Sequence, residues 1–386
     1  MSFFKSIQNG ETKCFAIDDK FHNSNDLKPH LNDGVHFYWN KTANAKIENS
    51  VDLRDIFNFY RIVELNDLAS LFPTENVAKY HDIKNKIRSI FSSYNIANIN
   101  IGDYQFYDLI PERFLRELCL SETRILQEGF HFLDKKPWFA ETVNFFSNFE
   151  AMDVLRHMNY EVNTTEGMKR VRLRWQANFR FNSLPGYLNL FNMRKEDRKK
   201  IIPHSSDHVI YYADFRQFEV RTFLMLHPHL KIDFENRELY AELASRLGLD
   251  LASAKQQIIA YGYGQENKKL DAVLDRKAIL ENVDSDFYSW NGYPVIFRPK
   301  DPDKIKIHTL VQTIAQYKYI EKLNKIIELL SETRSKFIYP LHDSVIISLH
   351  RDEFDLIDQF KDILEDDVHK IQQCLGPNLG ELEDHE

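Results

Sequence analysis

Residues 209–226 read VIYYADFRQFEVRTFLML, and the pattern of this stretch changes half-way along it. The apolar run 209–213 predicts a strand buried on both faces, and helical spacing takes over from Phe218. Asp214 stands at the junction, where a rigid strand ends near solvent and a carboxylate is well placed to bind a metal ion. An Asp before a helix also commonly serves as an N-cap, and this pattern by itself favours the cap.

The composition is that of an ordinary globular chain. Of its 386 residues, 43% are hydrophobic and 28% are charged, which allows two or three subdomains. No apolar run approaches the roughly 18 residues of a membrane helix, and the N-terminus shows no signal-peptide pattern. The three cysteines are far apart and form neither a disulfide framework nor a zinc cluster, which suits a reducing cytoplasm.

The net charge of −8 hides an uneven distribution. Residues 169–200 contain ten Lys and Arg but two acidic residues, whereas residues 351–386 contain three basic and twelve acidic residues. A basic run is usually a solvated surface, but this one leads directly into the Asp214 strand and also contains aromatic residues: Trp175, Phe179, Phe181 and Tyr187. Such a face can attract phosphates while the whole chain stays acidic.

Residues 214–221, DFRQFEVR, resemble the first palm motif of the family A DNA polymerases, Asp-aromatic-x-Gln-x-Glu-x-Arg. The matching residues are Asp214, Phe215, Gln217, Glu219 and Arg221. Residues 337–349, FIYPLHDSVIISL, are similar to the third motif of that family, a hairpin with His342 and Asp343 at its tip. Ser344 follows where the DNA polymerases of the family commonly have Glu, and phage single-subunit RNA polymerases often have His-Asp-Ser.

Residues 251–264, LASAKQQIIAYGYG, resemble the second motif, the fingers helix that binds dNTP. The spacing Lys-x7-Tyr-Gly is met by Lys255, Tyr263 and Gly264. Lys255, Ile259 and Tyr263 are four residues apart and share one helix face. Lys would neutralise phosphate charge while Tyr packs near the base and sugar. A surface Lys on a helix with a core Tyr would produce the same pattern.

Two residues of this segment depart from the family. Leu251 stands where the family usually has Arg, and Ile259 stands where it has an aromatic residue. Either Arg194 and Arg198 supply the missing charge, or the nucleotide binds more weakly than usual. The resemblance also places Tyr240, in an amphipathic helix predicted over 238–244, where some members have a phosphate-facing His.

The resemblance assigns further residues to DNA. Arg180 matches an Arg that contacts the minor groove at the primer end, although Phe179 precedes it where the family has Gly. Arg194 matches an Arg near the incoming triphosphate, and His342 is expected to face the DNA. Residues 305–330 predict a long amphipathic helix. The family contacts the minor groove of the nascent base pair with Arg, Asn and Gln at the positions of Lys304, His308 and Gln312. Gln312 matches, whereas Lys304 and His308 are substitutions that could also be surface residues without a role in DNA binding.

The resemblance implies an α+β fold, a right-hand polymerase with an antiparallel-sheet palm, helical fingers and a helical thumb. We expect residues 1–110 to form a cap or partner-binding module, with the thumb over 111–178 and the palm starting over 179–230. The fingers follow over 231–300, and the second part of the palm over 301–386 ends in a closing helix over 353–374. Residues 15–19, FAIDD, are similar to the start of a proofreading exonuclease but lack its Asp-x-Glu arrangement, so we expect no such domain.

Nucleotidyl transfer uses two divalent ions roughly 4 Å apart, one for the primer 3′-hydroxyl and one for the triphosphate. Asp214 and Asp343, from two strand-like runs, are the expected bridging carboxylates for two Mg²⁺ ions, for which Mn²⁺ can substitute. The resemblance adds the backbone carbonyl of Phe215 as a ligand. Lys255 is expected to stabilise or protonate the pyrophosphate. The residues expected around the nucleotide are Arg194, Gln217, Glu219, Tyr240, Lys255, Ile259, Tyr263 and Gly264.

Glu219 indicates deoxynucleotides, because the family uses this Glu to block a ribose hydroxyl and the phage RNA polymerases lack it. The sequence therefore predicts a template-directed DNA polymerase. The alternatives are a single-subunit RNA polymerase or primase, and an impaired polymerase-like DNA-binding subunit. Primer–template DNA and dNTPs are the expected partners, with a helicase, primase or processivity factor. The small size and the Lys-, Asn- and Ile-rich composition suggest a phage protein in the host cytoplasm.

Overall fold

The computed structural model describes residues 2–9, 11–17, 20–22, 36–38, 50–58, 60, 65–72, 74–93, 110–149, 155, 158, 160–171, 173–175, 179–183, 187–227, 230–235, 239–262, 265–274, 279–281, 283, 286–298 and 301–385. The chain divides into two compact units, Met1–Glu150 and Ala151–Glu386. Within the described ranges, no helix has both the length and the apolar character needed to cross a membrane.

The N-terminal unit contains a five-stranded mixed sheet. Its strands are β1 (Ser2–Asn9), β2 (Glu11–Ile17), β3 (Lys20–His22), β4 (His36–Tyr38) and β5 (Ser50–Asp52). They lie in the order β3-β2-β1-β4-β5, with β1–β2 and β2–β3 antiparallel and β1–β4 and β4–β5 parallel. The run FAI of the exonuclease-like segment lies in β2, next to the central strand, and Asp18 and Asp19 lie outside the described residues.

Four helices accompany this sheet: α1 (Leu53–Asn58), α2 (Glu75–Ser93), α3 (Glu112–Leu133) and α4 (Phe139–Asn148). Helix α3 begins directly after Pro111, where the thumb was expected to start. Its apolar stripe, which includes Leu115, Leu118, Ile125 and Leu126, is buried, and the helix packs against α2 and against β1 to β4. Because α3 packs on the N-terminal sheet, it belongs to the same compact unit as that sheet, which extends to Glu150.

The second unit has strands β6 (Tyr160–Thr164), β7 (Gly167–Val171), β8 (Leu173–Trp175), β9 (Phe181–Ser183), β10 (His208–Phe215), β11 (Phe287–Trp290), β12 (Tyr293–Ile296), β13 (Lys336–Leu341), β14 (Ser344–His350), β15 (Ile371–Asn378) and β16 (Glu381–Asp384). Five of them form an antiparallel sheet in the order β13-β14-β10-β15-β16. The predicted buried strand is its central member, β10. Val209, Ile210, Tyr211 and Ala213 are buried there, as the continuous apolar run implies.

The helices of this unit are α5 (Phe218–Met225), α6 (Leu239–Leu247), α7 (Leu251–Gly262), α8 (Lys268–Leu274), α9 (Asp303–Leu330) and α10 (Leu356–Leu364), with a 3₁₀ helix over Lys195–Lys200. The long predicted helix is confirmed as α9. It packs against α5, α10, β12 and β13 and carries much of the core, including Leu310, Ile314, Tyr317 and Leu323.

Two parts of this unit differ from the sequence prediction. The closing helix predicted over 353–374 is wrong beyond Leu364: α10 ends there, and Ile371 begins β15, which pairs with β10. The helical region predicted over 231–300 also contains the hairpin β11–β12. Its Asn291–Gly292 turn has φ angles of 48° and 84°, and Asn-Gly is a strong hairpin signal that was available in the sequence.

Candidate active site

Asp214 and Asp343 lie at the same end of two paired strands. Asp214 is opposite Ser344 in the β10–β14 ladder, and the Phe215 N–H donates to the Asp343 carbonyl at 2.9 Å. Asp343 belongs to a two-residue turn, because Leu341 and Ser344 pair directly on either side of it. His342, the other turn residue, has a φ of 54°, as tight hairpin turns require. The backbone ladder therefore brings together two carboxylates that are distant in sequence.

These two carboxyl groups resist ionisation. Burial, and then the charge of Asp343, raise the pKa of Asp214 to about 7. Burial also raises the pKa of Asp343. The Tyr212 hydroxyl donates to Asp214 Oδ1 at 3.2 Å, and the charge of Arg198 opposes the rise at Asp214. Neighbouring carboxylates in a low-dielectric site disfavour each other's charge, so a bound cation would stabilise both ionised forms.

The donor set fits Mg²⁺. This ion takes oxygen ligands, and one or two carboxylates commonly hold it together with water and substrate phosphates. Across the described ranges, no cluster of three or more His, Cys, Asp or Glu side chains could hold a metal ion. The side chains that would bind the metal are therefore the carboxylates of Asp214 and Asp343. The resemblance implies the Phe215 carbonyl as a third ligand, and Phe215 lies on β10, whose position the ladder fixes.

A pocket of about 220 Å³ opens beside Asp343. Besides Asp343, six other predicted site residues line this pocket: Arg180, Gln217, Glu219, Tyr240, Ile259 and His308. The sequence placed these residues in separate segments, and the fold brings them around one space. Helix α5 contributes Glu219, α6 contributes Tyr240, α7 contributes Ile259 and α9 contributes His308.

Glu219 has two partners at this pocket. Its Oε1 atom accepts a hydrogen bond from Gln312 Nε2 at 3.0 Å and lies 3.4 Å from Arg180 Nη1. The side chains of Arg180 and Glu219 are 30% and 23% exposed, whereas Gln312 is 2% exposed. The carboxylate thus links α5 to α9 and to the segment before β9.

The predicted residues of α7 are only partly at the pocket. Lys255 is exposed, and its ammonium lies 5.8 Å from the centroid of the Tyr240 ring, a cation–π contact between α7 and α6 that differs from the expected pairing with Tyr263. Ile259 lines the pocket wall where the family has an aromatic residue. Leu251 is 51% exposed at the start of the helix. Tyr263 and Gly264 lie outside the described residues.

The residues assigned to DNA are placed as follows. Burial lowers the pKa of His308, which lines the pocket. His342 is exposed, and the centroid of its ring lies 4.8 Å from that of Phe191. The part of the side chain that is buried, and then the charge of Arg180, lower its pKa. Arg194 is exposed and precedes the 3₁₀ helix. The side chain of Lys304 lies outside the described residues.

Two residues at the carboxylates were not among the predicted metal-site residues. Tyr212 bonds to Asp214 and lies two positions before it on β10, so strand periodicity could have revealed it. Arg198 was named only as one of two cations that could replace a missing charge. It is the cation that acts on Asp214, and it also lowers the pKa of His342. Its Nε atom is buried without a hydrogen-bond partner.

Part of the basic run is neutralised locally. Lys199 pairs with Glu381 at 2.8 Å, Lys200 pairs with Asp197 at 3.0 Å, and Arg170 approaches Glu161 at 3.9 Å. These pairs are exposed, so they contribute little to stability. They reduce the positive charge that this face presents to a phosphate backbone.

Phe179, which stands where the resembled family has Gly, adopts a backbone conformation that glycine favours. Phe179 has a φ of 60°, the left-handed region that favours glycine, and the family has Gly at this position. Its ring is fully buried and lies 5.0 Å from that of Tyr317. Burial of a large ring offsets the backbone strain, so the segment before Arg180 keeps a glycine-like conformation without glycine.

Ser344 and Arg221 have structural contacts. Ser344 is 1% exposed, and its hydroxyl donates to the Leu341 carbonyl at 2.7 Å, across the turn that carries Asp343. Arg221 is fully buried on α5, and its Nη1 atom donates to the carbonyls of Phe234 and Val368, both at 2.8 Å. Arg221 therefore ties the helix that carries Glu219 to two other segments.

We expect Arg221→Met to destabilise the protein by about 2–4 kcal/mol, because it leaves two partly buried carbonyls without their charged donor. Urea unfolding followed by circular dichroism measures this change. Arg246→Met is the matched control. Arg246 pairs with Glu242 four residues earlier on α6 and its side chain is 38% exposed, so we expect a loss below about 1 kcal/mol. Equal losses in the two variants would contradict the structural role of Arg221.

Comparisons with known proteins add little to this geometry. No protein-family model matches the chain, and no curated protein matches it. Among solved structures, a match is the POL domain of Pol1 from M. smegmatis in complex with DNA primer-template and dNTP. The sequence identity is 14% and the TM-score is 0.49. The match covers 82% of this chain and 66% of that chain, slightly less than two thirds of its length. We draw no argument from a likeness of this size.

Proposed function

We propose that the protein is a template-directed DNA polymerase that adds dNTPs to a primer 3′ end. The observation that carries the proposal is the pair of half-buried carboxylates, Asp214 and Asp343, which the β10–β14 ladder brings together, with Asp343 lining a pocket of about 220 Å³. Ligand pockets combine apolar walls with a few convergent polar groups, and functional sites often contain groups with perturbed pKa values. The pocket beside Asp343 combines apolar residues with Arg180, Glu219 and His308, and burial shifts the pKa values of His308 and Asp343.

Two Mg²⁺ ions are the proposed cofactors, and Mn²⁺ would substitute. When bound, they would activate the primer hydroxyl and neutralise charge on the triphosphate. Asp214, Asp343 and the Phe215 carbonyl are the proposed ligands. A polymerase has little covalent chemistry to perform, so the remaining residues bind and orient. Arg198 would add positive charge next to Asp214, and Lys255, beside Tyr240, would meet the pyrophosphate.

The sugar preference depends on Glu219. This carboxylate lines the pocket and is held by Arg180 and Gln312, so it can exclude a ribose hydroxyl by occupying space. Ser344, the residue that resembles RNA polymerases, bonds within its own hairpin. We therefore propose dNTPs rather than NTPs as substrates. Primer–template DNA is the proposed partner, with a helicase, primase or processivity factor in a phage replication system of the host cytoplasm.

Extension of a labelled primer–template with Mg²⁺ tests the proposal, with dNTPs and NTPs supplied in separate reactions. We expect extension with dNTPs only, and none with Asp214→Ala. Extension with NTPs would favour a single-subunit RNA polymerase or primase. Tight DNA binding without extension by either substrate would favour a polymerase-like DNA-binding subunit.

A further inference from the structure

Gln312 lies on the same face of α9 as His308 but deeper in the protein. The two residues are four apart in one helix, so their side chains neighbour each other. His308 lines the pocket, whereas Gln312 is 2% exposed. A side chain this buried is shielded from a duplex that docks on the surface. The minor-groove contact that the resemblance implied for Gln312 does not fit its position in this structure.

Gln312 instead donates to the pocket carboxylate. Its Nε2 atom donates a hydrogen bond to Glu219 Oε1 at 3.0 Å. Arg180 Nη1 lies 3.4 Å from the same oxygen, and the Arg180 side chain is 30% exposed. The two donors therefore differ in access. Arg180 lines the pocket and can exchange Glu219 for an acceptor on a ligand, but Gln312 cannot do so without leaving the core.

We propose that Gln312 is a positioning residue that fixes the Glu219 carboxylate in the pocket, and that it affects sugar selection through Glu219 rather than by contact with DNA. The proposal rests on the proposed polymerase function. A steric gate discriminates only when its atoms stay in place, and a glutamate has several rotatable bonds. A hydrogen bond from a buried amide to a charged oxygen restricts those bonds, and the surrounding core of α9 holds the amide itself in place.

Gln312→Met tests this, because methionine is similar in volume and lacks the donor. The variant is made in the wild-type chain and in Glu219→Ala. The readouts are the preference for dNTPs over NTPs in primer extension and the Kd for primer–template without nucleotide. We expect Gln312→Met to lower the preference by about tenfold or more, the value of one hydrogen bond to a charged group. We expect no further decrease in Glu219→Ala, and the same Kd for DNA in all four proteins.

Gln316→Met is the control for packing. Gln316 lies one turn further along α9 and is 3% exposed, so its replacement perturbs the same helix without touching Glu219, and we expect neither readout to change. An unchanged sugar preference in Gln312→Met would overturn the proposal. So would an equal loss of DNA affinity in both backgrounds, which would indicate direct contact with DNA. If the wild-type protein extends no primer, the proposed function fails, and the positioning role fails with it.

Discussion

Asp214→Asn should abolish nucleotide addition and, in the absence of metal, should make the protein more stable near neutral pH. If Asp214 is a metal ligand as proposed, activity should fall by on the order of 1,000-fold or more, because the variant removes a charge that holds the metal ions. The free energy of unfolding should rise because ionising the wild-type carboxylate costs free energy in its buried position beside Asp343. Burial and Asp343 raise its pKa to about 7.

The pH dependence follows from this raised pKa. In the unfolded chain Asp214 ionises with a pKa of about 4, and in the folded chain with a pKa of about 7. Below pH 4 both states are protonated and the group contributes nothing. Between pH 4 and 7 the metal-free wild-type protein loses stability, by a few kcal/mol at most, since one pKa unit corresponds to about 1.4 kcal/mol. The stability advantage of Asp214→Asn should therefore grow over this range and level off above it.

Thermal unfolding in chelator at pH 4, 6 and 8 measures the difference. Asp207→Asn, just before the other end of β10, is the matched control. Hydrogen bonds from Ser205 and His208 hold the pKa of Asp207 well below its usual range, so its charged form stabilises the fold above pH 4. We expect Asp207→Asn to destabilise the protein at neutral pH, whereas Asp214→Asn should stabilise it. A constant difference between Asp214→Asn and wild type at all three pH values would contradict the raised pKa.

Glu219→Ala should admit ribonucleotides. The change removes the carboxylate from the pocket wall. Under the proposed function, this opens the space that an added sugar hydroxyl needs. Pocket shape can discriminate against an added hydroxyl by on the order of 100-fold, and we expect most of that preference to be lost. Extension with dNTPs should remain measurable, because Asp214 and Asp343 are unchanged.

Single-nucleotide addition with matched dNTP and NTP gives the two values of kcat/KM and hence the preference. Glu242→Ala is a suitable control, since Glu242 pairs with Arg246 on the surface of α6 and its loss removes the same charge. The preference should be unchanged in that control. A wild-type preference in Glu219→Ala would remove Glu219 from the sugar gate and leave dNTP selection to other parts of the pocket.

The local patterns of the sequence predicted the elements that carry the site. The apolar run before Asp214, the helical spacing after it and the His-Asp turn at 342–343 each depend on a few neighbouring residues, and β10, α5 and the β13–β14 hairpin follow them. The periodicity of 305–330 likewise predicted α9, because apolar residues that recur at helical spacing over many turns are typical of one buried helix face.

The features that the sequence did not reveal depend on contacts between distant residues. Ile371 to Asn378 form a strand because β10 is available as a partner, a condition that no local pattern expresses. Arg198 acts on Asp214 through the placement of a short 3₁₀ helix, and Gln312 is buried because other elements cover α9. A resemblance of motifs could suggest the chemistry of such residues but not their exposure.

The turn between β13 and β14 also determines which changes the site can tolerate. Asp343 is adjacent to Asp214 because two residues separate the paired Leu341 and Ser344. Substitutions in the strands leave that count intact, whereas one inserted or deleted residue would change the type of turn and shift Asp343 relative to Asp214. A library of single-residue insertions and deletions should therefore lose function abruptly at this turn. It would test the proposed catalytic centre without a ligand or a substrate analogue.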